Sequence, residues 1–175
     1  MEIPQDLKEM LELGERILWY DKPHRTPFIL KNAGFSILGI PLLAFPIVML
    51  GSSFPKVILE PPVLLFFSFW YGIIVFVFFG APIYAILVWK NIFYVLTDRR
   101  IVVRKGLIGI DYDVLGLDMI RQVNINVGLW DKIYRTGTLT IQAIGVTPLK
   151  LYCIRNPREI QATINKAIKA SRRKI

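Results

Sequence analysis

Charge is almost missing from the middle of this 175-residue chain: between Lys31 and Lys90 only Lys56 and Glu60 carry one. Such a segment cannot make the surface of a soluble domain, and it places part of the chain in lipid. Cysteine occurs once, at Cys153, which excludes an intrachain disulfide and a zinc site built on clustered thiolates. Histidine also occurs once, at His24, and no glycine-rich loop of the phosphate-cradling kind is present. Acidic residues are scarce from Lys90 onward, where sixteen Lys and Arg, Lys90 included, face six Asp and Glu, whereas the first 32 residues hold five against six. The formal charge of +9 therefore belongs to the C-terminal part, while the 54% hydrophobic content and the mean hydropathy of +0.47 belong to the middle.

Two apolar runs fill that middle. Phe28 to Leu50 has one charge, Lys31, near enough to its start to snorkel toward an interface. Pro41 and Pro46 are tolerable there because neighbouring groups in a membrane bundle re-satisfy the freed carbonyls. Val63 to Trp89 is uncharged and, as helix, roughly 40 Å long against a bilayer core of ~30 Å, which predicts tilt or a bend near Gly80–Pro82. A cleaved signal peptide is excluded for the first run by its late start and acidic leader. The connector of residues 51–62 is too short for a domain, so the pair reads as a transmembrane helical hairpin over residues 28–89. Lys22, Arg25, Lys31, Lys90, Arg99, Arg100, Arg104 and Lys105 flank it on one side, with Lys56 alone on the other. The positive-inside rule then predicts a multi-pass protein of the cell membrane with both termini cytoplasmic.

After Lys90 the pattern changes to short alternating runs separated by turn residues. Strands are expected near Ile92–Thr97, Arg100–Lys105, Ile110–Leu117, Ile120–Val127, Thr138–Ile144 and Thr147–Ile154. A final helix should start from Asn156 as N-cap, with Pro157 at its first position and Ile160, Ile164, Ala167 and Ile168 on one stripe.

The order of motifs resembles the bacterial pleckstrin-homology-like membrane proteins, a family of unknown function. "YVLTDRRI" at Tyr94 to Ile101, "DMIRQV" at Asp118 to Val123, "GLWDKIYRTGTLTI" at Gly128 to Ile141 and "NPREI" at Asn156 to Ile160 carry the resemblance, with "LELGERIL" at Leu11 to Leu18 before the first apolar run. It implies a membrane helical hairpin followed, over residues 90–175, by an α+β PH-like domain: an antiparallel β-barrel of about seven strands capped by a C-terminal helix. Six strands are visible after Lys90. The seventh is either "ERILWYD", Glu15 to Asp21, in the cytoplasmic segment 1–27, or absent, with Leu7 to Trp19 forming a surface amphipathic helix.

Chemistry is thinly supplied. His24 beside Pro23 reads as an interfacial polar contact, Cys153 as core filler, and Asp111 with Asp113 as an exposed strand edge. Neither catalysis, a metal nor another cofactor is expected, and the absence of a recognition helix speaks against nucleic acid. A transporter or channel would place charges inside the spans. The expected role is a non-enzymatic, membrane-anchored scaffold for a protein partner or a second copy at the cytoplasmic face, with binding of anionic lipid headgroups as the alternative. A third reading takes the cations only as topology signal and solubility.

Strand direction sorts the cations. A strand leaving the membrane at Ile92 turns at Asp98–Arg99 some 20 Å away and returns. Lys90, Arg104, Lys105, Trp130, Lys132, Tyr134 and Arg135 are thereby expected to face lipid, and Arg99, Arg100 and Arg121 to face a partner. The competing expectation for the 128–137 loop is that Trp130 and Ile133 plug the barrel mouth.

Overall fold

The computed structural model describes residues 4–12, 14–34, 36, 39–50 and 60–172. The connector expected over 51–62 lies largely outside them. Along the chain come α1 (Gln5–Glu9), β1 (Ile17–Asp21), α2 (Arg25–Ala33), α3 (Gly39–Leu50), α4 (Pro61–Asn91), β2 (Phe93–Thr97), β3 (Arg100–Lys105), β4 (Asp111–Gly116), a 3-10 turn (Leu117–Met119), β5 (Ile120–Asn126), α5 (Leu129–Tyr134), β6 (Thr136–Ala143), β7 (Leu149–Arg155) and α6 (Pro157–Arg172). Two compact units result, one of Met1–Phe28 with Leu87–Ile175, the other of Ile29–Ile86.

In the second unit α3 lies antiparallel to α4. Phe78 and Ile74 approach Gly39, Trp70 and Tyr71 reach the carbonyls of Leu42 and Leu43, and the Phe45 and Trp70 rings lie 5.8 Å apart. Among the described residues α4 alone is long and apolar enough to cross a membrane. It stays helical through Pro82, so the bend expected there is not needed to end it. The first apolar run departs from expectation. Its described residues form two helices, α2 and α3, and α2 ends before Gly34, a residue of low helix propensity. Phe28, expected to enter lipid, is instead buried in the core of the β domain.

That domain holds seven strands, and the seventh is β1. It pairs antiparallel with β2 in the register Trp19↔Leu96 and Asp21↔Tyr94, so the surface-helix reading of this segment is set aside for Ile17–Asp21. The strands form two sheets, β1-β2-β3-β4 and β5-β6-β7, rather than the closed barrel expected. Backbone chemistry explains the opening. Beyond β1 the chain reaches Pro23, which has no N–H to extend a ladder, and His24 N donates to Cys153 O (2.9 Å) of β7, where Cys153 itself has φ +50°. On the other side the 3-10 turn replaces the ladder between β4 and β5.

The sheets enclose one core. Tyr94, Leu96, Ile101 and Val103 from the first meet Val123, Leu139, Ile141, Leu151 and Ile154 from the second, and α6 adds Ile160, Ile164, Ala167 and Ile168, the stripe its spacing predicts. Within it the Tyr94 hydroxyl accepts Tyr152 N (2.9 Å), and burial pushes that phenol far above its ordinary range. Asn156 differs from a standard extended N-cap: its φ is +48°, and its carbonyl accepts the amides of Glu159 and Ile160.

Candidate functional site

Lys90 and Asn91 end α4, and the last turn of a helix leaves carbonyls without intrahelical donors. Here cations supply them. Lys22 Nζ donates to Lys90 O (2.9 Å), and Arg104 Nη1 donates to Asn91 O (3.0 Å). Trp89 Nε1 donates to Pro23 O (2.7 Å), while Lys22 and Arg25 lie over the Trp89 ring at 5.1 and 5.5 Å. Burial lowers the Lys22 pKa, and Arg104 adds to that. Lys90 itself is exposed.

Asn91 also reaches sideways, its Nδ2 donating to Gly106 O (3.2 Å) and Leu107 O (3.4 Å). This pins the β3–β4 turn beside the helix end. Gly106 has φ +141°, and a Cβ there would stand 2.0 Å from Gly109 O, so only glycine closes the turn. Its tip is apolar: Leu107 and Ile110 are exposed, and Ile108 is 98% exposed. The sequence marked this stretch as a turn from its glycines. Apolar residues in a position that is ordinarily polar were the unused signal.

The segment expected as a loop at 128–137 contains the short helix α5. Asp131 is fully buried, accepts Gly128 N (2.9 Å) and Thr136 Oγ1 (2.8 Å), and so caps one end, while Arg135 closes the other with φ +53°. Leu129 is 81% and Ile133 67% exposed, with Lys132 and Arg135 exposed between and after them. Ile133 therefore plugs nothing, and Trp130 is half-buried. Tyr134, on the same helix, packs 6.0 Å from His24, the neighbour of the Pro23 that holds Trp89, which brings α5 to the α4 end of the domain. Burial, followed by Arg155, lowers the His24 pKa, and its Nδ1 has no partner among the described residues. A cleft between α5 and the start of α6 is lined by Lys132, Arg135 and Arg158 together with Asp131, Glu159 and Val127.

The other end of the β2–β3 hairpin is ionic. Arg100 Nε and Nη2 grip both oxygens of Glu15 (3.0 and 2.8 Å), Thr97 Oγ1 donates to Glu15 Oε1 (2.7 Å), and Arg99 Nη1 donates to Glu12 Oε2 (2.7 Å). Burial alone would raise the Glu15 carboxyl, but the hydrogen bonds from Arg100, Thr97 and the Glu12 amide outweigh it and hold it down at about 2. The bond to Glu15 in turn raises the Arg100 pKa. Arg99 and Arg100, expected to face a partner, thus already hold carboxylates of their own chain. Arg104, expected to face lipid, donates through Nε to Asp6 Oδ2 (2.7 Å), which also accepts the Tyr112 hydroxyl. Burial would raise the Asp6 carboxyl, and those bonds with the Arg104 charge lower it. Lys105 pairs with Asp113 across the β3–β4 ladder (2.5 Å), and Arg121 is exposed on β5 near Lys169 and Arg172. None of the long-range pairs was legible in the sequence, where the partners lie up to 106 residues apart.

Among the described residues no group of three or more His, Cys, Asp and Glu comes together, and Cys153 is buried. Two antiparallel sheets over one core, closed by a C-terminal helix and fed by an apolar helix, define a PH-like module. The chain belongs to the bacterial PH domain family, whose match covers residues 35–168 and leaves β1 outside it. No curated protein and no solved structure matches the chain. Domains of this family are in general non-catalytic interaction modules.

Proposed function

We propose that the chain is a multi-pass, membrane-anchored scaffold without enzymatic activity. Its PH-like domain is seated on the cytoplasmic leaflet by the α4 end and offers the far end to a protein partner. The observation that carries the seating is Ile108, 98% exposed on a turn bolted by Asn91 to the end of the apolar helix. Such a side chain in water gains nothing, whereas beside a helix leaving a bilayer it has apolar surroundings to enter, with Leu129 and Ile133 of α5. Lys90, Lys132 and Arg135 stand among these residues and suit an anionic leaflet, at about 1 kcal/mol each, and Lys105, paired with Asp113, adds less. Arg104 leaves this set, since its guanidinium is taken by Asp6 and Asn91. Pairing of β1 with β2 supports the two-span topology, because strands on both sides of residues 22–92 share a sheet. An apolar segment between them has to cross an even number of times, so α4 requires a second crossing, for which the part of the first run beyond Phe28 is the candidate.

A second reading rests on the cleft between α5 and α6. Its three cations, Lys132, Arg135 and Arg158, outnumber the exposed carboxylate of Glu159 on the same lining, while that of Asp131 is buried under α5, and this balance favours an anionic headgroup held there.

Quenching by spin-labelled lipids tests the seating on full-length protein in anionic nanodiscs. Cys153 is buried, so single added cysteines label selectively. A bimane on Ile108→Cys should be quenched by labels at the headgroup depth, and one on Ile144→Cys, at the opposite end of β6, should not. Changing Lys105, Lys132 and Arg135 together to Gln should weaken the quenching at low salt only. Equal quenching at both positions would refute the orientation.

A further inference from the structure

The first sheet has a second apolar face, turned away from the main core. Phe93 and Val95 on β2, Val102 on β3 and the half-buried Tyr112 on β4 form it, and Arg100 and Arg104 flank Val102 along β3. By strand rise those two cations stand about 13 Å apart. Bare, this face would be an apolar patch bordered by arginines, with Arg99 at its far corner. In this chain the N-terminal segment covers it. Leu7 of α1, 2% exposed, packs on Phe93, Val95 and Val102, while Asp6 takes Arg104, Glu12 takes Arg99 and Glu15 takes Arg100. One apolar anchor between carboxylates is matched by one apolar patch between guanidiniums.

The cover is lightly held. α1 has five residues, far below the length at which a helix stands alone. On the N-terminal side of Gly14, Leu7 is the only buried residue among the described side chains. The Arg99–Glu12 pair is exposed on both partners and open to screening by salt. Gly14, with φ +83°, lies between Glu12 and Glu15 and can re-aim residues 4–12 without disturbing β1 or the Glu15–Arg100 pair. Local opening of such a segment is cheap relative to unfolding of the sheet, and it would uncover a surface that water solvates poorly.

We propose that the outer face of β2, β3 and β4 is a docking surface for an acidic amphipathic segment of a partner protein, which the chain's own N-terminal segment occupies when the partner is absent. This rests on the scaffold reading above and names the partner's chemistry: carboxylates on either side of a leucine-sized side chain. A phosphate polyanion would satisfy the arginines but has nothing to place on Phe93, Val95 and Val102.

The test uses the full chain in neutral phosphatidylcholine nanodiscs, so that lipid charge plays no part, and a fluorescein-labelled peptide of residues 4–16 as probe. Leu7→Asp lifts the cover while leaving every residue of the docking face in place. Anisotropy should show the peptide binding at least tenfold more tightly to Leu7→Asp than to the wild type, and more weakly as salt rises. Adding Arg99→Glu and Arg100→Glu should abolish the gain, and a peptide with Glu12→Lys and Glu15→Lys should restore binding to that reversed face, which shows that it is still folded. Equal binding to wild type and Leu7→Asp, or indifference to the arginines, overturns the proposal. Wild-type copies with two different tags, carrying Glu12→Cys and Arg99→Cys, should be joined by a short bismaleimide within one chain. Joining between tags would make the occupant a second copy and overturn the partner reading. Lipid quenching at residue 108 is independent of all these results, so failure of the seating and failure of the docking face are separable.

Discussion

Lys105 and Arg100 sit at opposite ends of the same strand, and their surroundings differ in kind. Around Lys105 the turn and α5 expose Leu107, Ile108, Leu129 and Ile133, and few of their side chains have anything to pack against. Around Arg100 nearly every polar group has a partner, Glu15 Oε1 and Oε2, Met10 O and Thr97 Oγ1 among them. An identical strand interior, Ile101 and Val103 inward, runs between the two. The core therefore does not decide what the ends are for. One end is finished with its own chain, and the other is left apolar and unfinished, as a surface is when a second medium completes it.

The largest break in this comparison should come from Asp131→Ala. Its buried carboxylate holds both Gly128 N and Thr136 Oγ1, and removing it leaves those donors unpaired beneath α5. About 3 kcal/mol of stability should be lost, read as a shift in chemical denaturation in detergent. Loss below about 1 kcal/mol would mean that α5 is held by its apolar contacts instead.

At the ionic end, Arg100→Ala should cost about 2 kcal/mol, since it strips a carboxylate with no exposed side-chain surface of its bidentate partner. Arg99→Ala, whose partner Glu12 is solvated, should cost less than about 1 kcal/mol. Equal costs would erase the distinction drawn between the two arginines.

The smallest effect is that of acid. Glu15 is held at about 2, below the ordinary carboxylate value, so its contribution is complete above the unfolded value and is lost as pH falls through the folded one. Asp6 is lowered in the same direction. Between about pH 4.5 and 2, a fluorophore on Met10→Cys should report progressive release of the N-terminal segment while one on Leu129→Cys stays unchanged. Release that begins above pH 6 would point to a group other than these carboxylates.

Strand alternation made β2 to β7 and the α6 stripe legible, because each signal lies within a window of a few residues. The Gly-bounded turn at 106–109 was legible as a turn, and its reach to Asn91 was not, since that depends on where a helix ends. Closure into a barrel was expected from six short strands followed by one helix, and from the resemblance. It fails at Pro23 and at the 3-10 turn, where hydrogen-bonding capacity and not hydrophobic pattern decides. Glu12 and Glu15 look in sequence like any acidic leader. Their meeting with Arg99 and Arg100 is set by the register of β1 on β2, including the irregularity between Ile17 and Trp19 that no local pattern announces.

That register also sets a clock. β1 leaves the ribosome first and its partner β2 only after the intervening residues 22–92, so at about 5–20 residues per second β1 waits roughly 4–14 s for its ladder. Throughout that interval Ile17, Leu18 and Trp19 are an unpaired strand beside an emerging apolar chain, the period in which a chaperone or insertion factor has something to hold. A chain in which β2 has not reached β1 keeps an open strand edge, the kind of surface that pairs with other chains.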